Sequence, residues 1–525
     1  MVSCWFPSVD GNQRAPPTLA PMRTPGLLVA GTTSDAGKSV VTTGICRAFA
    51  RRGLRVAPYK AQNMSNNSMV VPLGHDADAG FGEIGRAQWV QALAARATPE
   101  VAMNPVLLKP GSDRRSHAVV MGRPGGVVDA TDFVEGRRHL AQAAHAAFDD
   151  LAARHDVVVA EGAGSPTEIN LRASDYVNLG LAQHARMPVV VVGDIDRGGL
   201  FAALHGTVAL LDAADQALVA GFVVNKFRGE VSLLEPGLGR LTELTGRPFL
   251  GVLPWDPTLW LDSEDALDLE GRRSGTAGAL RVAVVRLPRI SNFTDVDALG
   301  VEPGVDVVFV SDPRDVADAD LVVLPGTRAT IDDLAWLRSR GLDRAVVAHA
   351  RAGRPVLGIC GGFQMLGRQV HDPDAVEAST PRSVEGLGLL DVETTFGTEK
   401  VLRLPVGEAL GATTSGYEIH HGRITRGADE EFLAGARRGA VMGTMWHGSL
   451  EGDAFRHAFL AEVAAAAGTT LPDSDVSFGA LREARLDRLG DLVEEHLDVD
   501  ALWTLARDGA PADLPLLPPG AGSVA

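Results

Sequence analysis

Residues 27–39 read LLVAGTTSDAGKS, and this stretch decides the fold of the first half of the chain. The apolar run at 27–30 has the length and composition of a buried strand. A strand that leads into a glycine-rich loop, a Gly-Lys-Ser sequence and then a helix is typical of a phosphate-binding loop. Its backbone N–H groups point at a phosphate, its lysine neutralises phosphate oxygens and its serine hydroxyl ligates Mg²⁺. The predicted members of this nucleotide site are Thr32, Thr33, Ser34, Asp35, Ala36, Gly37, Lys38 and Ser39.

The alternation of strand and helix continues on both sides of one break. Alanine-rich segments such as 140–153 have helical composition, and a chain of 525 residues is too long for one hydrophobic core. Residues 271–279 are polar, glycine-rich and without periodicity, which indicates a linker. We therefore expect an α/β protein with two doubly wound domains. The apolar runs predicted as strands are 27–30, 157–160, 189–192, 222–224, 282–287, 321–324, 356–359 and 442–446.

Composition excludes several classes of protein. The formal net charge of -17 argues against a nucleic-acid partner, which would require a basic face. No apolar run approaches the roughly 18–20 residues that span a bilayer, and the N-terminus lacks the pattern of a secretory signal. Cys4, Cys46 and Cys360 have neither metal-ligand spacing nor the even number of a disulfide set, so a reducing cytoplasm is the expected location. The oligomeric state stays open.

The phosphate loop has one residue more than the standard pattern. Five residues, Thr32 to Ala36, separate its glycines where the standard loop has four. The longer loop resembles that of the dethiobiotin synthetase-like family, whose members phosphorylate a carboxylate before they close an amide or a ring. The resemblance implies that Lys60 is a second phosphate or substrate lysine, that Glu161 completes the Mg²⁺ shell with Ser39, and that Asn225 contacts the base. Taken alone, Glu161 and Asn225 would more often be plain polar residues at strand ends.

The nucleotide site implied by this resemblance takes ATP with Mg²⁺ as its substrate complex. No tightly bound cofactor is expected.

A second motif lies at 356–364, which read VLGICGGFQ. A strand, a Gly-x-Cys-x-Gly turn and a helix form a nucleophile elbow, in which small flanking residues make room for a strained backbone. The helix N-terminus also favours the thiolate form of Cys360. We therefore predict that Cys360 is a nucleophile, whereas Cys46 is a buried core cysteine. The candidate base is His447, at the end of a late strand.

The order of cysteine and histidine, about ninety residues apart, resembles class I glutamine amidotransferases. The resemblance implies that Cys360 attacks the side-chain amide of glutamine and that ammonia and then glutamate are released. It also implies an oxyanion hole formed by the N–H groups of Gly326 and Gly361. Most class I members carry His-Pro-Glu where this chain has His-Gly-Ser at 447–449, so the glutamate that orients the histidine is missing from its usual place. Glu418 and His420 are weak candidates for that role.

Several longer blocks resemble the cobyric acid synthase family over about residues 27–460. They read YKAQNMSNNS at 59–68, NPVLLKPGSD at 104–113, DIDRGG at 194–199 and NKFRG at 225–229. The resemblance implies an ATP- and glutamine-dependent ligase that amidates the b, d, e and g carboxylates of a corrinoid, adenosylcobyrinic acid a,c-diamide, through acyl phosphates. The expected organisation is an N-terminal extension (1–24), an ATP-binding amide synthetase domain (25–270), the linker (271–279), a glutamine amidotransferase domain (280–466) and a C-terminal tail (467–525).

Five residues within these blocks or beside them are candidates for contacts with the corrinoid: Gln62, Asn63, Lys109, Arg114 and Arg115. Fork-shaped guanidinium groups suit carboxylates, although a solvated pair of arginines is equally common.

Two alternatives remain open at this point. Cobyrinic acid a,c-diamide synthase shares both domains, but the Gln-Asn-Met-Ser block at 62–65 argues against it. A non-catalytic regulatory P-loop ATPase with an inactive amidotransferase domain would not need Lys38, Ser39, Cys360 and His447, all of which are intact.

Overall fold

The computed structural model describes residues 24–74, 79–110, 115–129, 137–257, 259, 280–378 and 380–518. The expected linker, Arg114 and all but the last residue of the N-terminal extension lie outside the described residues, and so does the side chain of Arg115. Within the described ranges, no helix combines the length and the apolar character that a membrane span requires.

The first half of the chain alternates strands and helices, with antiparallel strands inserted. Its strands are β1 (Gly26–Gly31), β2 (Val56–Tyr59), β3 (Gln62–Met64), β4 (Ser68–Pro72), β5 (Phe81–Gly85), β6 (Val106–Pro110), β7 (Arg115–Val120), β8 (Arg123–Asp129), β9 (Val157–Glu161), β10 (Val189–Asp194), β11 (Val219–Phe227) and β12 (Phe249–Pro254). Its helices are α1 (Lys38–Arg51), α2 (Arg86–Ala94), α3 (Arg138–Arg154), α4 (Leu179–Ala185), α5 (Leu200–Ala209), α6 (Ala213–Gln216) and α7 (Glu235–Thr245).

The central sheet of the first half is parallel, with the order β12-β11-β10-β1-β9-β2. Its strands are buried because helices cover both faces, which is why the sequence shows unbroken valine runs. The strands predicted at 157–160, 189–192 and 222–224 are confirmed as β9, β10 and β11. Since all strands point the same way, the loops after β1, β2, β9 and β11 meet at one edge.

Two small sheets beside the central one were not predicted. Strands β3, β6, β7 and β8 form one of them, and the hairpin β4–β5 forms the other. They contribute the wall of the first half that faces the second half.

The second half has strands β13 (Leu280–Val285), β14 (Val305–Val310), β15 (Leu321–Leu324), β16 (Val356–Ile359), β17 (Gln369–Asp372), β18 (Arg382–Glu385), β19 (Val392–Arg403), β20 (Val406–Ala409), β21 (Ala412–Ser415), β22 (Glu418–Arg426), β23 (Glu430–Phe432), β24 (Gly435–Arg438) and β25 (Val441–Thr444). Its helices are α8 (Pro313–Ala317), α9 (Thr330–Ser339), α10 (Leu342–Arg351), α11 (Gly361–Leu366) and α12 (Asp453–Ala467). The chain then ends in α13 (Phe478–His496) and α14 (Val499–Asp508).

The main sheet of the second half has the order β14-β13-β15-β16-β25-β24-β23. The first five strands in this order, from β14 through β13, β15 and β16 to β25, are parallel. Strands β24 and β23 are added to them as antiparallel edge strands. The predicted α/β class with two doubly wound domains is confirmed. The loops after β13, β15, β16 and β25 all leave the same edge of the sheet.

The C-terminal helices return to the first half. Leu489 and Val493 of α13 are buried in one core with Val41 and Ile45 of α1, the helix that follows the phosphate loop. At the rim of this contact, the buried Arg47 forms an ion pair with Glu483 at 2.6 Å. The sequence analysis left residues 467–525 outside both domains, but α13 supports the helix on which the phosphate loop rests.

This packing yields a stability prediction at Gly44 in α1. A Cβ added there would lie 2.5 Å from Val493 Cγ2 and 2.8 Å from Leu489 O. Gly44→Ala should therefore lower stability by roughly 1–3 kcal/mol, although alanine is the better helix former. The matched control is Gly239→Ala in α7, where an added Cβ meets nothing within 4 Å. That change should stabilise by about 0.4–1 kcal/mol. Thermal unfolding midpoints measure both, and equal midpoints would contradict the docking of α13 on α1.

Candidate active sites

Cys360 lies on a sharp turn between β16 and α11. Its backbone has φ 48° and ψ -108°, a conformation that a residue with a Cβ adopts only when its surroundings impose it. The neighbours explain the need for glycine, because a Cβ on Gly362 would lie 1.9 Å from Leu324 O and one on Gly358 would lie 2.7 Å from Phe363 Cα. The turn is therefore the elbow that the sequence predicts, with the thiol at the first turn of a helix.

His447 follows β25, the neighbour of β16, and its ring is buried. Its Nδ1 lies 2.7 Å from Asp295 Oδ2, and the N–H of Gly448 donates to Asp295 Oδ1 at 2.8 Å. Burial disfavours the imidazolium, but Asp295 and a hydrogen bond with Cys360 outweigh it and raise the pKa of His447 to about 10. Cysteine, histidine and aspartate are thus in line as a triad.

Asp295 is a residue that the sequence analysis missed. It lies in the 3-10 turn Phe293–Val296, after β13 and far from His447 in the chain. Neither Glu418 nor His420 orients His447 through Nδ1; their side chains lie 3.8 Å from each other instead. The only sequence signal for Asp295 is its place in a polar loop after a parallel strand.

The loops that carry Gly326 and Gly361 are in contact. A Cβ on Gly361 would lie 2.6 Å from Thr327 Cγ2, and one on Gly326 would lie 2.8 Å from His447 Cε1. Gly361 is the first residue of α11, so its N–H has no acceptor within the helix. Both backbone segments therefore flank the space in front of Cys360, although their role as an oxyanion hole stays a prediction.

A pocket opens in front of Cys360, and both halves of the chain line it. The first half contributes Asn66 and Lys109, and the second contributes residues that include Arg328, Glu377 and Lys400. Lys109 forms an ion pair with Glu83 and donates a hydrogen bond to Ser68 Oγ at 2.8 Å. Its contact with a corrinoid stays a prediction.

The phosphate loop follows β1, and Lys38 lies across it. Lys38 Nζ donates to Thr33 O at 3.1 Å, Ser34 O at 3.0 Å and Gly164 O at 3.1 Å. The N–H of Thr32 donates to Val192 O at 3.0 Å, which fixes the start of the loop to β10. The ammonium group therefore sits inside the ring of backbone groups that a phosphate would face.

Glu161, at the end of β9, accepts hydrogen bonds from three polar side chains of this site. Ser39 Oγ and Lys60 Nζ donate to its Oε1 at 2.9 Å and 2.8 Å, and Gln91 Nε2 donates to its Oε2 at 2.5 Å. Burial opposes the charge of Glu161, yet Lys60 and Lys38 hold its pKa below the usual range. An ionised carboxylate beside a serine hydroxyl is a donor pair that fits Mg²⁺. Gln91 was not predicted.

Asn225 and Asp35 take part in holding the loop. Asn225 Nδ2 donates to Ala36 O at 2.9 Å, and a Cβ on Gly37 would lie 2.0 Å from that nitrogen. Gly37 has φ 91°, which also requires glycine. Asp35 is paired with Arg197 at 2.6 Å. Asn225 thus contacts the backbone of the loop, and its contact with a base stays a prediction.

Gln62 and Asn63 are buried and already bonded within the protein. Tyr176 donates its hydroxyl to Gln62 Oε1 at 2.5 Å, and Asn63 Nδ2 donates to Gln88 Oε1 at 2.9 Å. Both lie within three residues of Lys60, so they belong to the wall beside the phosphate site. Contact with a corrinoid remains a prediction for them.

Comparisons with known proteins agree with this arrangement. The family described as a CobQ/CobB/MinD/ParA nucleotide binding domain matches residues 27–268, and a CobB/CobQ-like glutamine amidotransferase domain matches residues 281–455. Among curated relatives, the cobyric acid synthase of Mycobacterium ulcerans is 71% identical over 499 residues, which are 95% of this chain and 100% of the relative. That of Mycolicibacterium gilvum is 72% identical over 497 residues, 94% of this chain and 99% of the relative.

A solved structure described as a glutamine amidotransferase is 20% identical, with a TM-score of 0.28, over 35% of this chain and 98% of that one. A likeness this low decides nothing. The curated relatives, in contrast, match almost from end to end, across both the phosphate loop and the Cys–His–Asp site. The chain therefore belongs to the cobyric acid synthase family, a family of glutamine-hydrolysing ligases.

Proposed function

We propose that this chain converts adenosylcobyrinic acid a,c-diamide into adenosylcobyric acid by amidating the b, d, e and g carboxylates, with ATP and glutamine as co-substrates. The observation that carries the proposal is the presence of two sites in one chain. A phosphate loop can activate an acid, and a Cys–His–Asp site can release ammonia. The identity to cobyric acid synthases over most of the chain supports the choice of a corrinoid acid.

The first site makes the acid reactive. A carboxylate is a poor electrophile because its charge repels nucleophiles and oxide is a poor leaving group. We propose that a corrinoid carboxylate oxygen attacks the γ-phosphorus of ATP, so that ADP leaves and an acyl phosphate forms. Lys38 would exchange its carbonyl partners for phosphate oxygens, and Lys60 would balance further charge. Ser39 and Glu161 would hold the Mg²⁺ of the substrate complex. Ammonia then displaces phosphate and leaves the amide.

The second site supplies the ammonia. His447 holds the proton taken from the Cys360 thiol, as its raised pKa favours, and the sulfur attacks the side-chain amide carbon of glutamine. His447 then passes this proton to the departing ammonia. The N–H groups of Gly326 and Gly361 would stabilise the oxyanion. Asp295 accepts from Nδ1 of His447, which leaves the other ring nitrogen for this proton transfer. Water then hydrolyses the thioester and glutamate leaves.

The two steps belong together because ammonia is mostly protonated, and therefore unreactive, in water at neutral pH. Asn66 and Lys109 of the first half wall the pocket of Cys360. Ammonia formed there faces the synthetase half of the same chain, and we propose that it is consumed before it mixes with the solution.

The division of labour predicts the behaviour of Cys360→Ala. Amidation with glutamine should fall by about 10³-fold or more, because the nucleophile is lost, while amidation with added ammonium should stay within about twofold. Cys46→Ala is the matched control, since that thiol is buried in the core beneath the phosphate loop. Amide product, followed by mass spectrometry with each nitrogen source, is the readout. Loss of both activities in Cys360→Ala alone would contradict the assignment.

Lys38→Ala should give the complementary result. Without its ammonium group the γ-phosphate lacks charge compensation, so amidation with either nitrogen source should fall by about 10²-fold or more. Basal glutamine hydrolysis should persist. Arg240→Ala, on the exposed side of α7, is the control and should change neither reaction. Normal amidation by Lys38→Ala would remove the phosphate loop from the reaction.

The triad predicts a selective defect in Asp295→Asn. Glutamine hydrolysis should fall by about 10²- to 10⁴-fold, because an amide does not hold the required tautomer of His447. Ammonia-dependent amidation should remain near that of the unaltered protein. Asp318→Asn, an exposed carboxylate of the same half, serves as the control. Glutaminase activity close to the control would show that Asp295 does not orient His447.

A further inference from the structure

The pocket in front of Cys360 holds more charge than the triad uses. Lys109, Lys400, Arg328 and Glu377 all line it. The two lysines share one buried carboxylate, Glu83, so that they are paired and still leave a surplus positive charge. Arg328 and Glu377, in contrast, form no ion pair within the described residues.

Arg328 lies two residues after Gly326, on the loop that follows β15. Its backbone N–H donates to Arg289 O at 3.0 Å, which fixes the loop. Within the described residues its guanidinium makes no hydrogen bond and has no carboxylate within ion-pair distance, although it lines the pocket. A half-buried guanidinium without a protein partner is suited to an anion that enters the pocket.

Glu377 lies on the loop after β17, next to the start of α9, which follows Arg328 by two residues. The buried Asp372 fixes that loop by accepting from the N–H groups of Val376 at 2.7 Å and Ala378 at 2.8 Å. Glu377 itself accepts from Thr330 Oγ1 at 2.9 Å and from the N–H of Ile331 at 3.3 Å, at the start of α9. No cation of the described residues lies within ion-pair distance of it. Burial raises the pKa of Glu377 to about 7, and the charge of Arg328, which lies beyond ion-pair distance, opposes this rise only in part.

An unpaired cation and an unpaired carboxylate in one pocket are costly unless a ligand satisfies both. The two groups attract each other but lie beyond ion-pair distance, and a ligand that carries both signs of charge would satisfy both. The main-chain end of a free amino acid does so. We propose that Arg328 binds the α-carboxylate of glutamine and that Glu377 binds its α-ammonium group, which leaves the side-chain amide at Cys360.

This assignment rests on the proposed glutaminase function and adds its source of specificity. The surplus positive charge of the two lysines also favours a carboxylate at the Arg328 end of the pocket. A peptide glutamine, which lacks both charged groups, would leave Arg328 and Glu377 unpaired and would be rejected.

Three amides that differ in one group each test the assignment. Glutamine carries both charges, glutaramic acid lacks the α-ammonium group and 4-aminobutanamide lacks the α-carboxylate. The full-length protein and its variants Glu377→Gln and Arg328→Met are compared by the ammonia that each amide releases. Glu377→Gln should lose about 10- to 100-fold in kcat/KM for glutamine and change little for glutaramic acid. Arg328→Met should lose a similar factor for glutamine and change little for 4-aminobutanamide.

Glu385→Gln and Arg340→Met, at exposed positions of the same half, are the matched controls and should resemble the unaltered protein with all three amides. If Glu377→Gln lowers the rates with glutamine and glutaramic acid equally, Glu377 only caps α9 and the assignment is wrong. Unchanged rates in both variants would overturn it as well. If the unaltered protein does not hydrolyse glutamine at all, that result would instead contradict the proposed function.

Discussion

The buried carboxylate of Glu83 joins the two halves of the molecule. It accepts from Lys109 of its own half and from Lys400 of the other, and all three side chains are largely withdrawn from water. Loss of either lysine would leave the buried charge of Glu83 less well compensated, which is costly. Both lysines therefore stabilise the contact between the two halves. Burial opposes the ionised form of Glu83, but the two lysines hold its pKa far below the usual range. This ion-pair cluster therefore holds the two halves together beside the pocket of Cys360.

Other contacts between the two halves add to this ion-pair cluster. The N–H of Ser68 donates to Asn292 Oδ1 at 2.9 Å, and Arg86 forms an ion pair with Glu451 at 2.9 Å. Asn292 lies just before the turn of Asp295, and Glu451 lies just after the loop of His447. The segments that carry Asp295 and His447 are therefore held in place by contacts with the first half of the chain. The chemistry of the second half depends on its position against the first, because the first half completes the wall of its pocket.

The sequence predicted the two sites better than it predicted what supports them. The phosphate loop and the Cys360 elbow are local patterns, in which a strand, glycines and one reactive residue lie within a dozen positions. Cys360 and His447 meet because β16 and β25 are neighbours, which a resemblance can imply and spacing cannot. Asp295 comes from β13, two strands away from β16 in the sheet, and no local pattern marks it. The docking of α13 on α1 depends on the missing side chain of Gly44, which becomes meaningful only when the partner helix is in place.

The central claim is that nitrogen released at Cys360 reaches the activated acid without passing through the solution. It is tested most directly by incubating the protein with adenosylcobyrinic acid a,c-diamide, ATP and glutamine labelled with ¹⁵N in its side-chain amide, in an excess of unlabelled ammonium. Mass spectrometry of the early product then reads the isotope in the new amides. The account predicts that they carry the label in nearly the proportion present in the glutamine. Label diluted to the composition of the surrounding ammonium would contradict it.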